Sequence, residues 1–590
     1  MKSFFKYLLA SILGVIIASL IIFFAFIIFL SAVITIQDKP VDIKSNTILL
    51  LKLDQPINDR KSNFPMFAYN FSNFGAESQL GLNDILDNIE KAAKDEKIKG
   101  IYLQLSGLQT GIATVEEIRN ALIKFKNAGK FIIAFSDTYT QGSFYLASVA
   151  DKIYLNPGGS VNLIGLSADL VFFKKTLEKL DIEPEIVRHG KFKSAVEPFM
   201  YDKMSAENRE QIRTYVGSIW EHMVRKISES RNITPEQINQ FADSLLMWDV
   251  KSALRYGVID AALYKDQVLD SLAKLTDRDK SSDLEFITHS KYLRVDGSGS
   301  NKGYSRNKIA VIYAEGDIVP GEMGEGFIGS EVVSRTIREA RQDSAVKAIV
   351  FRVNSGGGSA LASEVIWREL DLARQVKPVI ASLGDVAASG GYYIVAPADT
   401  IVAGPTTITG SIGVFGLLVN AQGFFNNKLG ITFDVEKTND WSDFASIIRP
   451  LSDAERIVLQ KMVDDTYNTF VSRVSDGRTM AYSEVDKIGE GRVWSGKNAL
   501  DIGLVDVIGG LSDAINLAAE KAGLKDDYRL VNLPRLEDPF TQVMKELTGD
   551  VRDRIIKREF SEQYKYYSFV KNLFNNDRIQ ARMPFEMTVH

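Results

Sequence analysis

Shifted by 248 residues, the chain matches itself, and no other feature restricts its fold so strongly. IKGIYLQLS at 98–106 falls on VKAIVFRVN at 346–354, and FYLASVADKI at 144–153 falls on YYIVAPADTI at 392–401. Pro157 then meets Pro405, Gly165 meets Gly413 and Glu207 meets Glu455 without a gap. Upstream, ILLLKLDQPI from Ile48 resembles IAVIYAEGDI from Ile309, after an insertion in the first copy around the Phe-rich stretch 63–74. A repeat this long is a domain in its own right, so the chain reads as two copies of one unit.

Within each copy, short apolar runs such as 348–353 and 379–381 alternate with helical patterns such as 362–376. Strands and helices of these lengths in alternation predict parallel βαβ units, hence an α/β class. The expected order is an N-terminal anchor (1–45), a first domain (46–285), a linker (286–307), a second domain (308–533) and a tail (534–590). The linker rests on a charged stretch with a Gly-Ser-Gly-Ser run at 297–300. The tail carries the aromatic cluster Tyr564, Tyr566, Tyr567 and Phe569, to which the sequence assigns no role.

The anchor follows from Lys2 and Lys6 preceding an uncharged, Leu/Ile/Phe-rich stretch at 7–37. That exceeds the roughly 20 residues a spanning helix needs and is far longer than a secretory h-region of about 7–15, and no good small-x-small cleavage site closes it. By the positive-inside rule the N-terminus is expected in the cytoplasm, with the bulk of the chain outside the inner membrane.

Net charge is −5 with the signs interspersed, which lacks the basic footprint of a nucleic-acid binder. Cysteine is absent, so disulfides, thiolate catalysis and Cys-based metal sites are excluded.

Two glycine-lined strand ends hold the chemistry. Ser389 follows an apolar strand pattern and opens the helical pattern GGYYIVA, where unpaired backbone N–H groups favour developing negative charge. Taken alone it reads better as an ordinary helix N-cap, so a catalytic role needs corroboration from other residues. The cluster NSGGG at 354–358 follows the preceding strand, and parallel strands share one C-terminal edge, so its amides are placed to complete an oxyanion hole with that of Gly390. None of the four histidines, His189, His222, His289 and His590, lies in the second repeat, which disfavours a compact Ser/His/Asp triad. Lysine is the other base available to a serine, provided burial lowers its pKa. Lys193 has the apolar neighbours Phe192, Ala195 and Val196, although most lysines are solvated.

KSAVEPF at 193–199, the Asn-Ser-x-Gly-Gly turn and ASGGYY at 388–393 together resemble the signal peptide peptidase A family in its long, two-repeat bacterial form. The resemblance runs from the anchor through the second repeat. It implies a Clp protease/crotonase-like fold of ββα repeats assembling as a membrane-seated homotetramer, with Ser389 as nucleophile and Lys193 as general base. It further implies Ser411, in TGSIG at 409–413, as the hydroxyl orienting the lysine, and Gly357 or Gly358 with Gly390 as oxyanion donors. Substrates are then cleaved signal peptides or other unfolded segments beside the lipid bilayer, with no cofactor, metal or nucleic acid. Gly356 departs from the proline usual there.

The repeat bears on this assignment independently. By the 248 shift, Ser389, Ser411 and Lys193 face Gln141, Leu163 and Trp441, so each copy holds part of the set and one site is expected between the domains. A crotonase-type acyl-CoA hydratase or isomerase and a non-catalytic membrane scaffold are the competing readings.

Overall fold

The computed structural model describes residues 4, 6–7, 10–22, 41–61, 80–295, 305–324, 326–536 and 579–583. The expected anchor, the insertion at 63–74, the Gly-Ser run and the tail's aromatic cluster lie largely or wholly outside these residues. Among the described residues no helix is long and apolar enough to cross a membrane.

Each repeat builds one sheet, and the two sheets share a strand order. The first runs Ala261–Ala262, Lys152–Leu155, Phe131–Ser136, Ile98–Gln104, Thr47–Lys52, Phe286–Thr288, every pairing parallel. The second repeats it as Val507–Ile508, Thr400–Ala403, Val379–Ala388, Val346–Ser355, Lys308–Glu315, Arg529–Leu533, with Ile408–Gly410 and Val493–Ser495 added beside Val379–Ala388. Parallel strands covered on both faces need near-continuous apolar runs. Val346–Ser355 supplies one, its residues 348–353 all buried.

Two details depart from the sequence reading. Residues 286–288 are not linker: they form the edge strand of the first sheet, paired with Ile48, Leu49 and Leu50. A three-residue strand with one buried side chain leaves too short an apolar signal to find. The ungapped register also slips before the long helices. Ala206–Arg231 and Asp453–Arg478 are capped by Ser205 and Ser452, 247 residues apart, and end on left-handed Asn232 and Thr479. Asn208, rather than Glu207, therefore occupies the position of Glu455, each donating its N–H to its serine cap.

A third sheet joins the domains. Its order is Phe327–Gly329, Asp317–Val319, Gly357–Ser359, Ile579–Arg582, Phe415–Asn420, Glu183–Arg188. Six residue pairs, Phe415 with Arg188 through Asn420 with Glu183, zip the first domain antiparallel onto the second.

Behind this sheet lies a buried polar contact. Arg352 is enclosed, its Nε donating to Asp59 Oδ1 at 2.8 Å and its Nη1 to Ser382 Oγ at 3.0 Å, with Nη2 2.8 Å from Glu117 Oε1. Asp59 and Glu117 come from the first domain, Arg352 and Ser382 from the second. Asp385 adds a second link by accepting from Thr114 N–H at 2.9 Å and Thr114 Oγ1 at 2.7 Å, on the first turn of helix Ile112–Asn127. Removing one member of a buried charge cluster strands the others without solvent. Arg352→Leu is thus expected to cost about 3–5 kcal/mol, read as a lowered midpoint in chemical denaturation. An unchanged midpoint would show that the domains are held elsewhere.

Candidate active site

Ser389 sits where strand Val379–Ala388 turns into the short helix Gly390–Val395. Its φ of 56° and ψ of −117° form a conformation that a residue with a Cβ rarely adopts. Such strain persists only where neighbours hold it. Here Ser389 N–H donates to the Gly410 carbonyl at 2.8 Å, and its own carbonyl accepts from Tyr393 N–H at 2.8 Å. The side chain makes no capping hydrogen bond, so the ordinary N-cap reading does not describe it. Its hydroxyl points instead to Lys193, whose Nζ is 2.8 Å from Ser389 Oγ.

Lys193 reaches this point because the interdomain strand Glu183–Arg188 ends five residues before it. The intervening loop is pinned to the second domain, with His189 N–H donating to the Val414 carbonyl at 3.1 Å and Phe192 N–H to the Glu490 carbonyl at 3.0 Å. Gln211 closes the clasp, donating to the Phe192 carbonyl at 3.1 Å and accepting from Val493 N–H at 3.1 Å. The amine also lies 3.1 Å from Ser411 Oγ and 3.4 Å from the Ser411 carbonyl. Lys193, Ser389 and Ser411 are all fully buried.

Burial alone pushes the Lys193 amine well below the ordinary lysine range. A charged ammonium there would lose its water and gain only hydroxyl and carbonyl dipoles, so the neutral, basic form is favoured.

The glycines divide unequally. Gly357 N–H is already engaged, donating to Ser355 Oγ at 3.1 Å. Gly390 directly follows Ser389, while Gly358, next to Gly357 in strand Gly357–Ser359, packs on the Ile318 backbone. A Cβ on Gly357 would fall 2.7 Å from the Gly390 nitrogen, so the two turns touch.

Thus the structure brings Ser389, Lys193 and Ser411 into contact, with Gly390 next to the serine and Gly357 packed against it. It adds residues the sequence did not single out. Gly491, at φ +83°, packs so tightly on the lysine that a Cβ would lie 2.6 Å from Lys193 Cα and Cβ, and Gly413 lies against the same stem. The signal for Gly491 was present as the glycine pair in GEGR at 489–492. Gln211 left none, since its role depends on which loops its helix meets.

The sequence profile described as Peptidase family S49 matches residues 124–279 and 371–525, together more than half of the chain. The chain belongs to peptidase family S49. This S49 member is 35% identical over 523 residues to Protease 4 of Haemophilus influenzae, covering 86% of this chain and 85% of that one. It is 31% identical over 514 residues to the chloroplastic serine protease SPPA of Arabidopsis thaliana, covering 86% of this chain and 74% of that one. Among solved structures, ClpP1 from Listeria monocytogenes aligns at 17% identity over 35% of this chain and 94% of that one, with a TM-score of 0.23. The expected kinship with two-repeat signal peptide peptidase A holds, and the S49 chain is a serine protease.

The buried amine of this S49 protease has a stability signature. Above the ordinary lysine pKa of ~10.4, folded and unfolded chains both carry a neutral amine. As pH falls below that value the unfolded chain takes up a proton that the folded chain refuses, so wild-type stability drops, by up to ~1.4 kcal/mol per pH unit. Lys193→Met lacks this contribution. Its Tm relative to wild type is expected to climb as pH is lowered from 10 to 7. A pH-independent difference would show that the lysine is not buried as a neutral base.

Proposed function

We propose that this chain is a membrane-anchored serine endopeptidase working through a Ser389/Lys193 dyad, degrading cleaved signal peptides and other unfolded segments at the inner membrane. The observation that carries the reading is the 2.8 Å contact between Lys193 Nζ and Ser389 Oγ, in a buried site where no carboxylate contributes to the lysine's shift. Neutral Nζ accepts the Ser389 proton as Oγ attacks the peptide carbonyl. The resulting ammonium then donates that proton to the leaving amine. Ser411 Oγ fixes the amine's direction from 3.1 Å. Amides of Gly358 and Gly390 receive the oxyanion, with Gly357 supplying the bend and not the donor. Water, deprotonated by the same amine, then hydrolyses the acyl ester and restores the Ser389 hydroxyl.

The membrane assignment rests on the apolar stretch at 7–37 behind Lys2 and Lys6, giving a single pass with the N-terminus cytoplasmic and both domains on the periplasmic side.

A homotetramer is supported by an unused half of the repeat symmetry. By the 248 shift, strand Glu183–Arg188 corresponds to 431–436 and strand Phe415–Asn420 to 167–172. The first-copy strand pairs with the second-copy strand inside the chain. The counterpart segments belong to no strand or helix there, and they expose Val171, Ile431, Phe433 and Val435. Pairing 431–436 of one chain with 167–172 of the next is a head-to-tail contact, which generates a closed ring where the rotation allows. Phe433→Asp combined with Val435→Asp is expected to leave a folded monomer in detergent by light scattering. A tetramer surviving both changes would place the interface elsewhere.

The chemistry is tested on a fluorogenic peptide. Ser389→Ala and Lys193→Met should each lower kcat/KM on the order of 10⁴–10⁶-fold, with the double variant little worse than either, because the two groups act as a unit. Lys191→Met, two residues away and paired with Glu490 at 3.3 Å on the surface, should stay within a few-fold of wild type. Robust turnover by Lys193→Met ends the dyad reading.

A further inference from the structure

Lys193 is held by more than the contacts of its own amine. Gln211, buried on helix Ala206–Arg231, grips the chain on both sides of the lysine, its Nε2 donating to the Phe192 carbonyl at 3.1 Å and to Ser194 Oγ at 2.9 Å. Its Oε1 accepts from Val493 N–H, two residues beyond the Gly491 that packs on Lys193 Cα. The lysine backbone is therefore clamped between a first-domain helix and a second-domain turn.

A second amide and one carboxylate stand behind Gln211. Gln211 Nε2 also donates to Asn208 Oδ1 at 3.0 Å, one turn back, and Asn208 Nδ2 donates to Glu197 Oε2 at 2.8 Å. Glu197 is 1% exposed, and its other partners are the Ser205 hydroxyl at 2.5 Å and Ser205 N–H at 3.2 Å, at the N-terminus of the 26-residue helix. All three are donors, and a carboxylate only accepts. An Asn or Gln amide fits its site either way round, and a neighbour of fixed polarity decides which. Here both ends of the row are fixed and they agree. Glu197 must meet Asn208 Nδ2, which turns Oδ1 toward Gln211, and Val493 N–H must meet Gln211 Oε1, which turns Nε2 toward the lysine loop.

The other repeat shows that such a helix needs no carboxylate from the preceding loop. At the start of Asp453–Arg478 the acid is Glu455, on the helix itself, accepting from Ser452 N–H at 2.8 Å and pairing with Arg449 at 2.7 Å. Asn208 occupies the position of Glu455, while Gln211 and Glu197 correspond to Val458 and Ala445. The repeat with Trp441 in place of Lys193 thus caps its helix and carries no amide at the clamp position. The carboxylate has moved into the loop only in the copy that supplies the lysine.

We propose that Glu197 is a positioning residue for the general base: through Asn208 and Gln211 its carboxylate fixes the backbone on both sides of Lys193, and so holds Nζ on Ser389 and out of water. The proposal rests on the dyad reading above. Without the charge, Asn208 is free to turn. Gln211 turned with it would set Nε2 against Val493 N–H and Oε1 against the Phe192 carbonyl, donor on donor and acceptor on acceptor. The loop then loosens and water reaches the amine. The ammonium gains solvation, so the base is protonated at a higher pH than in the wild type.

The test measures kcat and KM against pH on the fluorogenic peptide, with the full-length chain in detergent as wild type, Glu197→Gln, Gln211→Met, the double variant and Lys193→Met, and Tm recorded for each. Glu197→Gln should lose roughly 10–100-fold in kcat with KM within about three-fold of wild type. The acidic limb of its profile should move up by about one pH unit. Gln211→Met cuts the row at the clamp and leaves the Ser205 contacts of Glu197 in place, and it should behave alike, with the double variant little worse than either. It also carries the test alone should Glu197→Gln fail to fold. With Lys193→Met inactive, three results overturn the positioning role and leave the dyad standing: wild-type kcat and limb in either variant, a fall in kcat with the limb unmoved, or losses that multiply in the double variant. Turnover by Lys193→Met overturns both.

Discussion

A lysine amine excluded from water, with two serine hydroxyls and a carbonyl as its polar company, is the constraint to which the other features answer. The amine is useful as a base because it is buried, and it stays buried only while two domains remain closed around it. Glu183–Arg188 delivers it across the boundary, and the Gly413 and Gly491 turns leave room for its stem. Ser389 is held in an unfavourable backbone conformation to meet it. Each of these costs stability locally, and each is held by packing supplied elsewhere.

That packing is concentrated in the shared interior. Hydrophobic residues of the first sheet and of one face of the second, including Ile309, Val311 and Val350, belong to a single core. Beneath it, Arg352 reaches two first-domain carboxylates while Asp385, four residues before the nucleophile, seats the first turn of a first-domain helix. Glu315, half-buried nearby, is pushed up to about 8, chiefly by loss of water and then by neighbouring Asp59. Carboxyls so placed are stable only around the guanidinium, which makes this region intolerant of sliding between domains. A nucleophile whose strand is anchored this way keeps its distance from a base in the other repeat.

Much of this was legible in the sequence because repeats preserve register where strands pair. The 248 shift gave the two sheets, and the division of Ser389, Ser411 and Lys193 between copies gave a site between domains. What stayed hidden depends on contacts distant along the chain. Residues 286–288 are too short to signal a strand, and one residue is lost before Ser452, so the match of Glu207 to Glu455 fails by one position. Gly357 reads like its neighbour Gly358 until Ser355 Oγ is seen to occupy its amide. The tail's Ile579–Arg582 has no apolar periodicity to announce a strand, since its partners lie more than 150 residues away.

The central claim, that a neutral Lys193 activates Ser389, is tested most directly by the rate at which an aryl fluorophosphonate phosphonylates the protein, displacing fluoride, as a function of pH. The account predicts a single adduct on Ser389, forming at a rate that follows one ionisation well below the ordinary lysine value of ~10.4, and near-complete loss of that reaction in Lys193→Met. An adduct on another serine, or labelling of Lys193→Met at the wild-type rate, would contradict it.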